Sequence, residues 1–577
     1  MADLHPHPRH PSGPLRGGER RQRFLCGQWG HRRRETHPFD HRPQRQNRKR
    51  RGREELHHLL RRQNRRERPY RKRSDRQIRR DHPRPESHRW ERTGLRRPRR
   101  SPMRIAMVSS ECNPFCKTGG LADVVFALSK ELVKSGQDVR VFLPYYSTLA
   151  KIPTCRYEKL FEYEVDLSWR KQKATIYKTE FAGVTFYFIG NDYYFLRGSL
   201  YGFSDDGERF AFFTMAVEPL FGKLGFAPDV IHVHDWQPGM LPLLIKARHH
   251  NDPTFASAKT ILTIHNPEFK GMGEPYLLSD FYNLPFSYYE DGTTRFHDGI
   301  STLKTAIMVC DKISTVSPTH REELLTPLYS RGMDGPLKLR EQDFVGILNG
   351  VDSQEWNPKK DIDIASFYSQ KTLTEGKRKC RVALLESAGF DDKGGPVFGL
   401  VSRLTSQKGI HLVAEIAPKI MERGGYLFVL GSGESALEGE IAALRRSYPE
   451  SCSVYFGYNS ALAHKIYAGS DFFLMPSLFE PCGIGQMIAE AYGTLPVARS
   501  TGGLSDTIIP YAPDQENRPT GFLFRDFDLG GINYGIECAF SVYADKKKLK
   551  AMRLNAMKVD HGWKKSAEEY LKLYQSA

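Results

Sequence analysis

Residues 104–144 read RIAMVSSECNPFCKTGGLADVVFALSKELVKSGQDVRVFLP, and the fold is decided by this stretch. Arg104 to Ser109 (RIAMVS) is an apolar run of strand length. A glycine-containing loop follows, then Leu121 to Gly136 (LADVVFALSKELVKSG), whose apolar residues recur at helical spacing. Val139 to Pro144 (VRVFLP) is a second strand. Strand, loop, helix and strand in that order demand a parallel pair whose crossover helix covers one face of the sheet.

The same grammar continues downstream. Strands are predicted at Val230–Val233, Thr260–Ile264 and Lys312–Val316, with a helix over Glu208–Leu224 between them. Tyr157 to Tyr187 alternates apolar and polar residues and is predicted to be a β-hairpin insertion. After the turn-rich LNGVDSQEWNPKKD (348–361), a second set begins: Val397–Val401, Tyr426–Leu430, Ser453–Phe456, Phe472–Met475 and Leu495–Ala498, each followed by Gly or Pro and then a helical pattern. The expected fold class is α/β, with two doubly wound Rossmann-like domains, residues 103–344 and 345–560, facing a cleft. Ligands of open α/β sheets bind beyond the carboxyl ends of the strands, so the site is expected between the domains.

Charge is confined to one end of the chain. Of 86 Lys and Arg residues 33 fall in residues 1–102, and of 67 Asp and Glu residues 11, leaving 53 basic against 56 acidic residues in the remainder. The net charge of +19 therefore belongs to an Arg-, His- and Pro-rich extension, and the rest is mildly acidic. With few aliphatic residues and much like charge, residues 1–102 are expected to be disordered. A nucleic-acid or other polyanion partner for this arm is disfavoured, and a transit peptide would be richer in Ser and poorer in acid. The favoured reading is an upstream stretch without function, translated from a misplaced start, with Met103 expected as the working N-terminus. The sequence contains neither an apolar run long enough to span a membrane nor a secretory signal pattern, and its nine cysteines lack paired metal-ligand spacing. A cytoplasmic protein with reduced thiols and no membrane partner is expected.

Four segments carry candidate chemistry. Lys117-Thr118-Gly119-Gly120 lies between the first strand and its helix, where glycines admit a ligand and helix N–H groups favour an anion; Asp123 falls in the first turn. Arg403 and Lys408, five residues apart in SRLTSQKG (402–409), place two cations just past a strand, where they could stabilise a departing diphosphate. Glu480 in FEPCGIGQ (479–486) can accept hydrogen bonds from sugar hydroxyls, and the backbone around Cys482, Gly483 and Gly485 can hold phosphate or sugar. Thr501-Gly502-Gly503 adds a further small-residue turn. His232, His234 and Asp235 invite a metal reading, but further ligands at suitable spacing are missing, so no metal is assigned. His265 stands at a strand end and so beside the cleft.

These segments together resemble the bacterial glycogen synthases and plant starch synthases over nearly all of 103–577. The motifs that carry the resemblance are KTGGLADV (117–124), HVHDWQPG (232–239), TIHN (263–266), DGISTLKTAI (298–307), LNGVD (348–352), SRLTSQKG, FEPCG, YGTLP (492–496) and TGGLSDT (501–507). The resemblance implies the glycosyltransferase-B fold, no cofactor, and transfer of glucose from ADP-glucose to the non-reducing end of glycogen or a maltooligosaccharide with retained configuration. It implies that residues 561–577 form a helix crossing back onto the first domain. Residue by residue, it implies that Lys117 binds the donor with Gly119 and Gly120 near its phosphates, and that Arg403 and Lys408 stabilise the leaving diphosphate. Glu480 would hold glucose hydroxyls, Asp235 and His265 would line the glucosyl pocket, Asn349 would face the cleft and Tyr458 would lie against the adenine. Where the family often carries Leu-Thr-Gln after FEPCG, this chain has Ile484-Gly485-Gln486, which keeps UDP-glucose open as the alternative donor. The glucan phosphorylases share the fold but need a Schiff-base lysine for pyridoxal phosphate and a longer chain.

Overall fold

The computed structural model describes residues 101–151, 155–512 and 518–577. The expected disorder of residues 1–102 falls, but for the last two residues, outside the described residues.

The first sheet contains nine strands: β1 (Arg104–Val108), β2 (Asp138–Pro144), β3 (Glu158–Leu167), β4 (Arg170–Phe181), β5 (Val184–Gly190), β6 (Val230–His234), β7 (Lys259–Ile264) and, beyond a small three-stranded sheet of β8 (Met272–Gly273), β9 (Arg295–Phe296) and β10 (Gly299–Ser301), β11 (Lys312–Thr315) and β12 (Phe344–Gly346). Their order is β12-β11-β7-β6-β1-β2-β5-β4-β3. All pairs from β12 to β5 are parallel, and β3, β4 and β5 form an antiparallel run. The stretch expected to be a β-hairpin insertion is instead a three-stranded meander that joins the sheet: its last strand runs to Gly190 and pairs with β2, from Arg140↔Thr185 to Pro144↔Ile189. The sequence boundary at 344 falls at the start of β12, whose three residues are too few to show a period.

The second sheet has six strands, all parallel: β13 (Val397–Val401), β14 (Tyr426–Gly431), β15 (Cys452–Phe456), β16 (Phe472–Met475), β17 (Leu495–Arg499) and β18 (Phe522–Phe524), in the order β15-β14-β13-β16-β17-β18. Near-continuous burial along β13, β14 and β16 fits strands covered by helices on both faces.

Six helices matter for the site: α1 (Gly120–Lys134), α2 (Asp206–Lys223), α3 (Pro318–Leu324), α4 (Gly485–Ala491), α5 (Gly502–Thr507) and α6 (Trp563–Ser576). Helix α1 buries Leu121, Val124, Val125, Leu128 and Leu132, the i, i+3, i+4 stripe that its sequence shows. Helix α6 presents Trp563, Ala567, Tyr570, Leu573 and Tyr574 to the core of the first sheet. The chain thus leaves the first sheet near residue 347 and returns beside its own exit, where Val351 and Gly562 form a bridge and the Ser566 hydroxyl donates to the Leu348 carbonyl. Among the described residues eight cysteines are free thiols, and no helix is long and apolar enough to cross a membrane.

The topology explains where a site can form. Strand order reverses at β1, which lies between β2 and β6, and again at β13, which lies between β14 and β16. At such a reversal the flanking loops diverge to opposite faces and leave a crevice. The KTGG loop follows β1, the HDW loop follows β6, SRLTSQKG follows β13 and FEPCG follows β16, so all four motif loops sit at the two reversal points.

Candidate active site

A cleft of about 1000 Å3 is lined by residues of both sheets. The first contributes Lys117, Gly119, Gly120, Asp123, Asp235 and His265; the second contributes Arg403, Lys408, Tyr458, Glu480, Cys482, Gly483 and Gly485, with Asn349 from the connecting segment.

On the second sheet, Arg403 is exposed to the cleft and its guanidinium makes no ion pair among the described residues. Lys408 ends a short 3-10 turn, and Gly409 follows in the left-handed region at φ +67°. A Cβ at Gly409 would lie 2.1 Å from the Pro476 carbonyl oxygen, so only glycine allows the loop to press against the end of β16. The Lys408 ammonium donates to Glu480 Oε2 at 2.6 Å, and the Ser477 hydroxyl donates to the same oxygen at 2.9 Å. Glu480 is buried, and its charge is answered by Lys408. Gly483 takes φ +71°, and the first turn of α4 at Gly485 borders the cleft. Tyr458, 86% exposed, stands as an unencumbered aromatic face at one end. The Oδ1 of buried Asn349 has no hydrogen-bond partner among the described residues, an acceptor left for a guest.

On the first sheet, Asp235 sits at φ +58°, a conformation that Asp and Asn tolerate better than most residues. Its Oδ1 accepts from the backbone N–H groups of His265 at 2.6 Å and Asn266 at 3.4 Å. Burial nonetheless pushes its carboxyl up to about 7. His265 pairs through Nε2 with His234 Nδ1 at 3.0 Å, and burial pushes it down to about 3, so both imidazoles are neutral. His232 is held by Tyr574 at 2.9 Å and Thr263 at 2.6 Å, ties to the core. The one group of His and carboxylate side chains with closely spaced ligand atoms among the described residues is Asp361, Asp363 and His464. There Asp361 already accepts from His464, Tyr492 and the Asp363 backbone.

Two expectations need correction. The N–H groups of the KTGG turn are not all free: the buried Glu111 carboxylate accepts from Thr118 N at 2.5 Å, Thr118 Oγ1 at 2.6 Å and Gly119 N at 3.3 Å. A side-chain anion thus occupies part of the place favoured by the helix dipole, while Lys117 pairs with Asp123 at 2.7 Å. The second correction concerns Thr501, Gly502 and Gly503, which do not line the cleft. Thr501 Oγ1 and Gly502 N donate to Glu323 of the first domain at 2.8 and 2.9 Å, and Gly503 N donates to the Glu480 carbonyl at 3.1 Å. An internal carboxylate fills this turn.

Sequence reasoning missed Glu111 and Trp356. Glu111 lies three residues past the end of β1, and a charged residue just beyond the carboxyl end of a strand was the available signal. Trp356 borders the cleft and stacks on His464 with ring centroids 4.0 Å apart; the signal was an aromatic residue inside a polar turn-rich segment.

Comparison with known proteins agrees with this layout. Residues 104–339 match the starch synthase catalytic domain, and residues 386–558 match the glycosyl transferases group 1. The chain is 42% identical over 472 residues to a glycogen synthase of Anoxybacillus flavithermus, covering 82% of this chain and 97% of that one. It is 41% identical to a glycogen synthase of Clostridioides difficile, covering 82% and 99%. Among solved structures it is similar to the catalytic domain of starch synthase IV from Arabidopsis thaliana bound to ADP and acarbose, with 32% identity, a TM-score of 0.77, and 82% and 99% of the two chains covered. A sucrose-phosphate synthase of Thermosynechococcus elongatus, at 18% identity and a TM-score of 0.53 over 82% and 98%, shares the fold. With two doubly wound sheets, a cleft at their reversal points and relatives of this identity along nearly their whole length, the chain belongs to the glycogen and starch synthase family of glycosyltransferases.

Proposed function

We propose that the protein transfers glucose from ADP-glucose to the non-reducing end of an α-1,4-glucan, glycogen or a maltooligosaccharide, with retention of configuration. The observation that carries this reading is the meeting, across one cleft, of two cations after β13 with the Gly119-Gly120 turn after β1. Residues 345–560 hold the donor and residues 103–344 present the acceptor, with 561–577 closing back on the first sheet.

Arg403, without an ion pair among the described residues, and Lys408 meet the diphosphate and stabilise the charge that grows as it leaves; Lys117 adds a third cation. Glu480 accepts from the glucose hydroxyls, and when a sugar arrives Lys408 is drawn from Glu480 toward phosphate. Asp235 and His265 border the glucosyl unit, His265 as a neutral hydrogen-bonding imidazole. Tyr458 stacks on the base. The departing diphosphate accepts the proton of the attacking glucan hydroxyl on the face it vacates, which explains retention without an enzyme nucleophile. The neighbour solved with ADP and acarbose, a nucleotide and an oligosaccharide analogue, supports a nucleotide-sugar donor and a glucan acceptor. Action in the cytoplasm belongs to the same proposal.

The test is purified protein with glycogen and ADP-glucose or UDP-glucose in separate and competing reactions. ADP release that UDP-glucose does not suppress is expected. Absence of nucleotide release from either donor refutes the reading.

A further inference from the structure

The short helices α3 and α5, one from each sheet, meet beside the cleft, and each supplies what the other's first turn lacks. Thr319 N and Oγ1, in the first turn of α3, donate to Asp506 of α5 at 2.9 and 2.7 Å. Glu323 of α3 in return accepts from Thr501 Oγ1 and Gly502 N at the start of α5. Burial alone would push the Glu323 carboxyl up; hydrogen bonds from His320, Gly502 and Thr501 outweigh it and hold it below its ordinary value. Ser317, the N-cap of α3, accepts from His320 N at 3.0 Å and donates its hydroxyl to the Pro481 carbonyl at 2.8 Å.

These contacts converge on the loop that carries Glu480. Gly502 stands at φ +43°, and a Cβ there would lie 2.0 Å from the Glu480 carbonyl oxygen; one at Gly503 would lie 2.1 Å from that of Cys482. The start of α5 is thus pressed against the backbone of residues 480–482, while Ser317 holds Pro481 through its carbonyl. None of Ser317, Thr319, Glu323 and Asp506 lines the cleft.

We propose that Ser317, Thr319, Glu323 and Asp506 are positioning residues for the transfer reaction, clasping the Glu480 loop to the first sheet so that Glu480 and Lys408 face Asp235 and His265 in transfer geometry. The inference rests on the functional reading above. Its physical basis is that the reacting groups are divided between two sheets, so their spacing depends on noncovalent ties near the site. A displacement of about 1 Å is enough to lower turnover by about a hundredfold. Diphosphate affinity, by contrast, is built mainly within the second sheet, from Arg403, Lys408 and Tyr458, with exposed Lys117 the single cation added from the first.

The experiment compares wild type with Thr319→Val, Thr319→Ser and Glu323→Ala, measuring kcat with ADP-glucose and glycogen, the Kd of ADP by calorimetry, and the unfolding midpoint. Thr319→Val and Glu323→Ala, which remove a donor and the acceptor of the clasp, are expected to lower kcat about tenfold to a hundredfold with ADP affinity changed by less than about threefold, while Thr319→Ser, which keeps the donor, stays within about twofold of wild type. Wild-type kcat in both Thr319→Val and Glu323→Ala overturns the proposal. So does a parallel fall of kcat, ADP affinity and unfolding midpoint, the pattern of simple destabilisation. Wild type that releases no nucleotide defeats the functional reading itself, a failure seen without any variant.

Discussion

Replacing Lys408 with Ala separates two roles of one ammonium group. It pairs with the Glu480 carboxylate at 2.6 Å, with side-chain exposures of 17% and 8%. At an effective dielectric of about 20, opposite charges that close attract by roughly 6 kcal/mol. Most of that is offset by desolvation, and stranding one member of a buried pair costs about 3–5 kcal/mol. Because the pair borders an open cleft and Ser477 still donates to Glu480, we expect a loss at or just below the low end of that range, about 2–3 kcal/mol, in denaturant unfolding. The catalytic loss is separate: removing one preorganised donor from a developing anion lowers kcat by about a hundred- to a thousandfold. The double variant Lys408→Ala/Glu480→Gln distinguishes the two effects. Neutralising Glu480 removes the stranded charge, so stability recovers while turnover, followed as ADP release, does not. Turnover of Lys408→Ala within tenfold of wild type, or recovery of turnover in the double variant, would refute the role given to Lys408.

Other perturbations read different parts of the molecule. Burial raises the Asp235 carboxyl from 3.8 to about 7, so the folded protein holds a proton there that the unfolded chain loses. The stability tied to this proton is complete below about pH 4 and is lost as pH rises to about 7, on the order of 4 kcal/mol. Asp235→Asn, compatible with the left-handed backbone, should therefore gain stability over wild type between pH 4 and 7 and hold that gain above it; a difference independent of pH contradicts the assignment. Gly409→Ala places a methyl 2.1 Å from the Pro476 carbonyl oxygen at φ +67°, and should destabilise by at least about 2 kcal/mol and lower kcat by displacing Lys408; wild-type stability and turnover would show that the loop yields freely. Removal of residues 1–102 should leave transfer from ADP-glucose to glycogen unchanged, and loss of activity would assign the arm a function.

How much was legible in the sequence follows from the range over which each signal acts. The unit at 104–144 and the strands at 397–401, 426–430 and 472–475 declare themselves because apolar periodicity and glycine loops are local properties of the chain. Strands β12 and β18, three residues each, are too short to carry a period. The meander reads as a hairpin insertion because alternation in β3 to β5 says nothing about β5 pairing with β2.

The amino-acid sequence by itself determined the fold class, the two sheets and the loops that bear Lys117, Arg403, Lys408 and Glu480, since residue type and spacing along a few turns suffice for these. Tertiary structure alone decided what those loops meet. The turn at Thr501-Gly502-Gly503 and the turn at Lys117-Thr118-Gly119-Gly120 look alike in sequence, yet the second borders the cleft with Glu111 taking part of its N–H groups, while the first lies off the cleft and is filled by Glu323, 178 residues earlier. An N–H group attracts whichever anion folding brings to it, and that choice is a property of the packed molecule rather than of any segment.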